Sequence, residues 1–168
     1  MLRRGDGMKS RNVALYAVLL ALALVLSWLE SLVPLSFAVP GIKMGLPNLV
    51  VVFALYRMRW RDAALISLLR VLLVSLLFGN LFAMAYSAAG AALSLLAMGG
   101  LKATGKFGMT AVSVAGAVAH NLGQILVAVL VLETARLAYY LPALLVSGVV
   151  AGVCVGLLSA FLVKRVKL

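Results

Sequence analysis

From Val13 to Val163 the chain is a succession of apolar runs, most of them about twenty residues long, broken by short stretches into which nearly all of its charges are gathered. That is the length a helix needs to cross about 30 Å of hydrocarbon at about 1.5 Å of rise per residue. The amount of apolar surface points the same way, because 65% of the 168 residues are hydrophobic and only 11% are charged. Mean hydropathy is +1.19, and a water-soluble fold of this size has no interior large enough to hide so much. A spanning β-barrel would require alternating polar and apolar residues, and Asn12 to Trp28 shows no such alternation. The expected fold class is therefore all-α, a polytopic membrane protein forming a six-transmembrane-helix bundle.

The spans read as Val13–Leu32, Leu46–Tyr56, Ala63–Phe78, Leu81–Leu101, Met109–Leu132 and Leu137–Val163. The second is too short to cross alone unless the segment before it extends it. That segment, Pro34–Pro47, contains prolines and glycines that a straight helix does not accommodate, so it reads as an outer loop that could re-enter the bundle as a lid. No domain boundary is visible, and residues 1–168 read as a single transmembrane domain with basic tails at 1–12 and 164–168.

Lysine and arginine near span ends stay on the cytoplasmic side. Here Arg3, Arg4, Lys9 and Arg11 precede the first span, Arg57, Arg59 and Arg61 separate the second from the third, Lys102 and Lys106 the fourth from the fifth, and Lys164, Arg165 and Lys167 follow the sixth. Of the 15 basic residues only Lys43, Arg70 and Arg136 fall outside these alternate breaks. Six spans with both ends in the cytoplasm satisfy this pattern; five or seven would turn the C-terminal cluster outward. The expected location is the inner (cytoplasmic) membrane. The same accounting removes nucleic acid as a partner, since the net charge of +11 is consumed by topology rather than gathered into a reading surface. The first span is expected to be retained rather than cleaved as a signal peptide. Cys154 has no second cysteine to pair with and reads as a small packing residue.

Catalysis has little to stand on. The four carboxylates are Asp6, Glu30, Asp62 and Glu133, with no paired motif for magnesium and a diphosphate, no cysteine/histidine cluster and no phosphate loop. His120 alone cannot make a metal site, no cofactor is implied, and energy for any uphill transport must come from elsewhere.

Ionisable side chains inside a membrane are costly and usually face a bundle interior. Arg70 lies about 12–14 Å from either end of its span, too deep to snorkel easily. His120 is central in the fifth span with Gln124 one turn on, Asn121 on the flank, and Ser113 and Gly116 continuing the stripe. Asn121 and Gln124 could equally be interhelical hydrogen-bond glue, with Gly116 and Gly123 permitting close packing. Towards the outer side lie Glu30, Lys43, Asn48, Asn80 and Tyr86; Asn80 has the alternative role of a helix N-cap, and Tyr139 and Tyr140 read as interfacial belt residues. Lys43, Arg70 and His120 have only Glu30 as a nearby acid, and it must reach down from the outer end to meet Arg70. An anionic ligand clamped by Arg70, with Lys43, Asn48, Asn80, Tyr86, His120, Asn121 and Gln124 around it, would resolve that imbalance. Arg70 acting as a structural cap on a broken helix is the competing reading.

The runs Pro40-Gly41-Ile42-Lys43-Met44-Gly45-Leu46-Pro47-Asn48, Leu69-Arg70-Val71-Leu72, Leu77-Phe78-Gly79-Asn80, Tyr86-Ser87-Ala88-Ala89-Gly90 and Ala117-Val118-Ala119-His120-Asn121-Leu122-Gly123-Gln124 together resemble the Gx transporter family, also labelled heptaprenyl diphosphate synthase component I. The resemblance runs over nearly the whole chain from Val13. That family is similar to the six-helix substrate-binding S components of energy-coupling factor vitamin transporters, which work with a transmembrane coupling subunit and cytoplasmic ATPases. The resemblance implies a substrate-binding membrane subunit, and Ala14, Ala17 and Ala21 of the first span resemble the small-residue docking pattern of such proteins. The synthase label implies a different role. Prenyl diphosphate synthases hold magnesium on aspartate-rich motifs that this chain lacks, so under that label it would be a non-catalytic membrane component or anchor.

Overall fold

The computed structural model describes residues 4–32 and 44–166, with side chains described from Val13 onward except that of Ala135. Among the described residues the chain forms six α-helices and no strand: α1 (Arg4–Leu32), α2 (Asn48–Arg57), α3 (Trp60–Phe78), α4 (Leu81–Thr104), α5 (Met109–Leu132) and α6 (Leu141–Arg165), with a 3-10 turn, Ala135–Tyr140, before α6. The protein is an all-α membrane bundle. Among the described residues four stretches are long and apolar enough to cross a bilayer: Val13–Leu32, Leu81–Thr104, Met109–Leu132 and Arg136–Arg165. α3 has the length of a span but carries Arg61, Asp62 and Arg70. α2 has 10 residues, about 15 Å, which is half a crossing.

α2 is nevertheless the centre of the fold. Val50, Val51, Val52, Phe53, Ala54 and Leu55 are all buried, none more than 7% exposed. A helix apolar on every face is enclosed either by lipid or by other helices, and here α1, α3 and α6 all pack on α2. Large side chains on the outer helices point away from this core. Leu76, Leu130 and Val150 are 75%, 66% and 60% exposed, as a lipid-facing surface requires.

The basic breaks gather at one end of the bundle. The Arg57 guanidinium of α2 donates to the Val163 carbonyl at 2.5 Å and to that of Val166, closing carbonyls that the end of α6 leaves without helical partners. Lys102 of α4 donates to the Leu55 carbonyl of α2 and sits 5.0 Å from the centre of the Tyr56 ring. Asp62 accepts from the Arg59 amide at 3.0 Å at the start of α3, and Tyr16 of α1 lies beside Asp62. These cations therefore seal helix ends as well as marking them.

α4, α5 and α6 are held by glycine seams. Gly123 of α5 meets α4 so closely that an added Cβ would lie 2.8 Å from the Ala89 carbonyl oxygen. Gly148, Gly152 and Gly156 line one face of α6, and a Cβ at Gly152 would come within 2.6 Å of the Val114 Cα, one at Gly156 within 2.6 Å of the Thr110 Cα. Such contact is how helices associate where lipid removes the hydrophobic drive between them. It also corrects the reading of Cys154. Two residues from both Gly152 and Gly156, it lies on the opposite side of α6 from the seam and is exposed.

Candidate functional site

α3 buries Ala63, Ile66, Ser67, Arg70, Val71 and Ser75, a stripe at three- and four-residue spacing that faces the bundle. Arg70 is on that stripe. It is 9% exposed, and its Nε is buried with no hydrogen-bond partner. The Glu30 carboxylate of α1 does reach down, coming within Coulombic range of the guanidinium. Glu30 has a second contact. Its Oε1 accepts from the Gly45 amide at 2.5 Å, tying the end of α1 to the residues that lead into α2.

Gly45 has φ of +72°, a conformation that costs glycine little, and its carbonyl accepts from the Asn48 amide at 2.9 Å in the turn that starts α2. The same glycine walls a narrow cleft shared by α2, α4, α5 and α6. Asn48, Ser94 and Ser113 supply its polar atoms, Met44 and Met98 its flexible apolar ones, and Gly116 and Gly152 lie among the small residues that leave it open. The free space is enough for about one water molecule.

The structure separates the residues that the sequence grouped. Asn48 lines the cleft, and Arg70 is linked to it through Glu30 and Gly45. His120, Asn121 and Gln124 pack at the seams. A Cβ on Gly90 of α4 would meet the Gln124 Cγ at 2.8 Å and the His120 Cε1 at 3.1 Å, and the Asn121 amide donates to the Leu144 carbonyl of α6 at 2.6 Å. Asn80 accepts from the Ala83 amide at 2.7 Å and caps α4. Tyr86 stacks edge-on against Phe82, their centres 6.4 Å apart. Lys43 and the rest of the Pro34–Lys43 stretch lie outside the described residues. Ala14, Ala17 and Ala21 are exposed along α1, while Leu19 and Ala23 on its other side are buried.

Three features escaped the sequence reading. Glu30 was seen only as a distant acid, because reach between helices is invisible in a linear chain. Ser94 carries no local signal. The α6 seam did have one: three glycines at spacing four.

A model of the family described as heptaprenyl diphosphate synthase component I matches residues 19–162. The chain belongs to this family. No curated protein and no solved structure matches it. The matched span takes in α2 to α5 whole, most of α6 and the second half of α1, including Glu30, Arg70 and all the residues that line the cleft. For this member of the heptaprenyl diphosphate synthase component I family, the geometry offers a buried cation and a polar cleft, and among the described residues no cluster of three or more histidine, cysteine, aspartate or glutamate side chains that could hold a metal ion.

Proposed function

We propose that the protein is a substrate-binding integral membrane subunit for uptake of a small anionic or polar metabolite, working in the manner of the S components that its sequence resembles. The observation that carries this is Arg70, a nine-tenths-buried guanidinium with an open Nε, tied through Glu30 and Gly45 to a polar cleft beside a half-length helix. Intramembrane cations mark substrate pathways, and interrupted helices at depth are where transporters build their sites. Arg70 clamps the anionic group and Asn48 bonds a polar edge, while Lys43, Asn80, Tyr86, His120, Asn121 and Gln124 belong to the wider candidate set. Transport then needs a transmembrane coupling subunit with cytoplasmic ATPases, docked on Ala14, Ala17 and Ala21. The orientation that fits is both ends cytoplasmic in the inner membrane, which labelling of Lys106→Cys and Tyr139→Cys in intact cells by an impermeant reagent tests; equal labelling of both from outside rejects it.

The experiment is native mass spectrometry of the purified chain, followed by thermal-shift measurement with whatever small molecule is found. Arg70→Gln should bind that molecule at least about a hundredfold more weakly, and unchanged affinity rejects the clamp. The family's description favours a second reading, a non-catalytic membrane component or anchor for heptaprenyl diphosphate synthesis. Under it, affinity capture recovers a prenyl diphosphate synthase subunit and the chain carries no small molecule.

A further inference from the structure

We infer that Glu30 is a built-in stand-in for the ligand's anionic group: an incoming carboxylate or phosphate takes Arg70, displaces the Glu30 carboxylate and thereby releases Gly45, the residue through which the cleft is held. This rests on the ligand-binding reading above and adds to it the class of ligand and the way its arrival is sensed.

The argument begins with the capacity of the guanidinium. Arginine has five N–H donors in a planar fork, and the edge made by Nε and one terminal nitrogen matches the two oxygens of a carboxylate or phosphate. In Arg70 the Nε is buried and unpartnered. Glu30 is the carboxylate within range, but its Oε1 is committed to the Gly45 amide at 2.5 Å. Whatever Glu30 gives the guanidinium, it leaves the Nε of the fork without an acceptor. Arg70 is charge-balanced by Glu30 but one acceptor short at its Nε, the condition in which a better-shaped anion gains by exchange.

Only an anion can make that exchange. Taking the carboxylate away from a buried guanidinium leaves that charge uncompensated, which is strongly unfavourable, so a neutral ligand cannot dislodge Glu30 from Arg70. A ligand that brings its own negative charge can, since Arg70 stays paired throughout. Glu30 has somewhere to go: it is two residues from the last residue of α1, Leu32, and only half-buried. Gly45 feels the change because the contact that Glu30 gives up is its own, and Gly45 stands in the wall of the cleft beside Met44 and Asn48.

The test uses the full chain in phosphatidylcholine nanodiscs with inorganic phosphate as the probe. In a Cys154→Ser background, Ser94→Cys places a thiol at a cleft position that is 4% exposed; phosphate should speed its labelling by maleimide several-fold, with no other change to the chain. Glu30→Gln keeps an acceptor for the Gly45 amide but removes the competing charge, and should bind phosphate about tenfold tighter than the parent by calorimetry or thermal shift. Arg70→Gln should lose the response. Nanodiscs containing phosphatidylglycerol separate the two sources of anion: faster labelling there without added phosphate assigns the displacing group to a lipid headgroup. If phosphate stabilises the parent and Glu30→Gln equally, fails to stabilise Arg70→Gln, and leaves labelling unchanged, the displacement is wrong while the anion site stands. If phosphate stabilises none of the three, both readings fall.

Discussion

The two halves of the bundle are held together by different physics. α4, α5 and α6 meet backbone to backbone along glycine seams, with little room for a methyl group at Gly123, Gly148, Gly152 or Gly156. α1, α2 and α3 make looser contact with one another and are joined by a buried apolar column and by charge, with Glu30 accepting from the Gly45 amide and lying within Coulombic range of Arg70. Close packing without side chains has one good geometry and resists change. An ion pair with a spare donor and a half-buried acid has at least two. The difference assigns the rigid scaffold to one half and the responsive elements to the other.

The sharpest way to break this comparison is to fill a seam. Gly152→Leu drives a side chain into the backbone of α5 at Val114, which cannot yield as a flexible side chain would, and should cost about 3 kcal/mol or more. Thermal unfolding in detergent should show a large drop or loss of the monodisperse species; an unchanged midpoint would mean that the seam is not the scaffold. Arg70→Gln should act differently. It should lower thermal stability less than Gly152→Leu, because Glu30 can turn towards water, while abolishing phosphate binding. A stability loss as large as the glycine variant's, with affinity retained, would move Arg70 into the scaffold.

Asn121→Leu sharpens the boundary between the halves. It removes the hydrogen bond to the Leu144 carbonyl and should cost about 0.6–1.7 kcal/mol, the range for such bonds between membrane helices, with phosphate affinity unchanged. Loss of affinity would return Asn121 to the site. The smallest effect on the isolated protein is expected for Ala17→Trp. That residue is exposed on α1, so stability should stay within about 0.5 kcal/mol, and phosphate binding should not change. Co-purification with a coupling subunit should be lost, and a normal yield of the partner would show that α1 docks elsewhere.

Much of the fold was legible because the bilayer imposes a one-dimensional rule. α5 runs from Met109 to Leu132 as hydropathy alone indicates; α3 and α4 each gain about a turn at a polar end, α1 begins nine residues earlier at Arg4, and α6 begins at Leu141 rather than Leu137 because a 3-10 turn precedes it. α2 was legible as apolar but not as the buried centre, since a run such as Val50 to Leu55 reads the same whether it faces lipid or protein. The candidate site was legible in its residue types and not in its grouping. Arg70 was visible as a buried cation from its distance to the span ends. That His120 and Gln124 press on Gly90 while Asn48 shares a cleft with Ser94 depends on which helices are neighbours.

The sequence by itself determined that the chain is an all-α membrane protein, roughly where its six apolar helices lie, and which breaks carry its charges, because the cost of placing polar groups in hydrocarbon is paid residue by residue along the chain. Only the tertiary structure decided that Glu30 meets both Arg70 and Gly45, that the basic breaks cap one another's helices, and that three glycines of α6 lie against α5. Each of those depends on distances between segments far apart in sequence, set by how the helices pack, and packing is a property of pairs of surfaces that no single run of residues specifies.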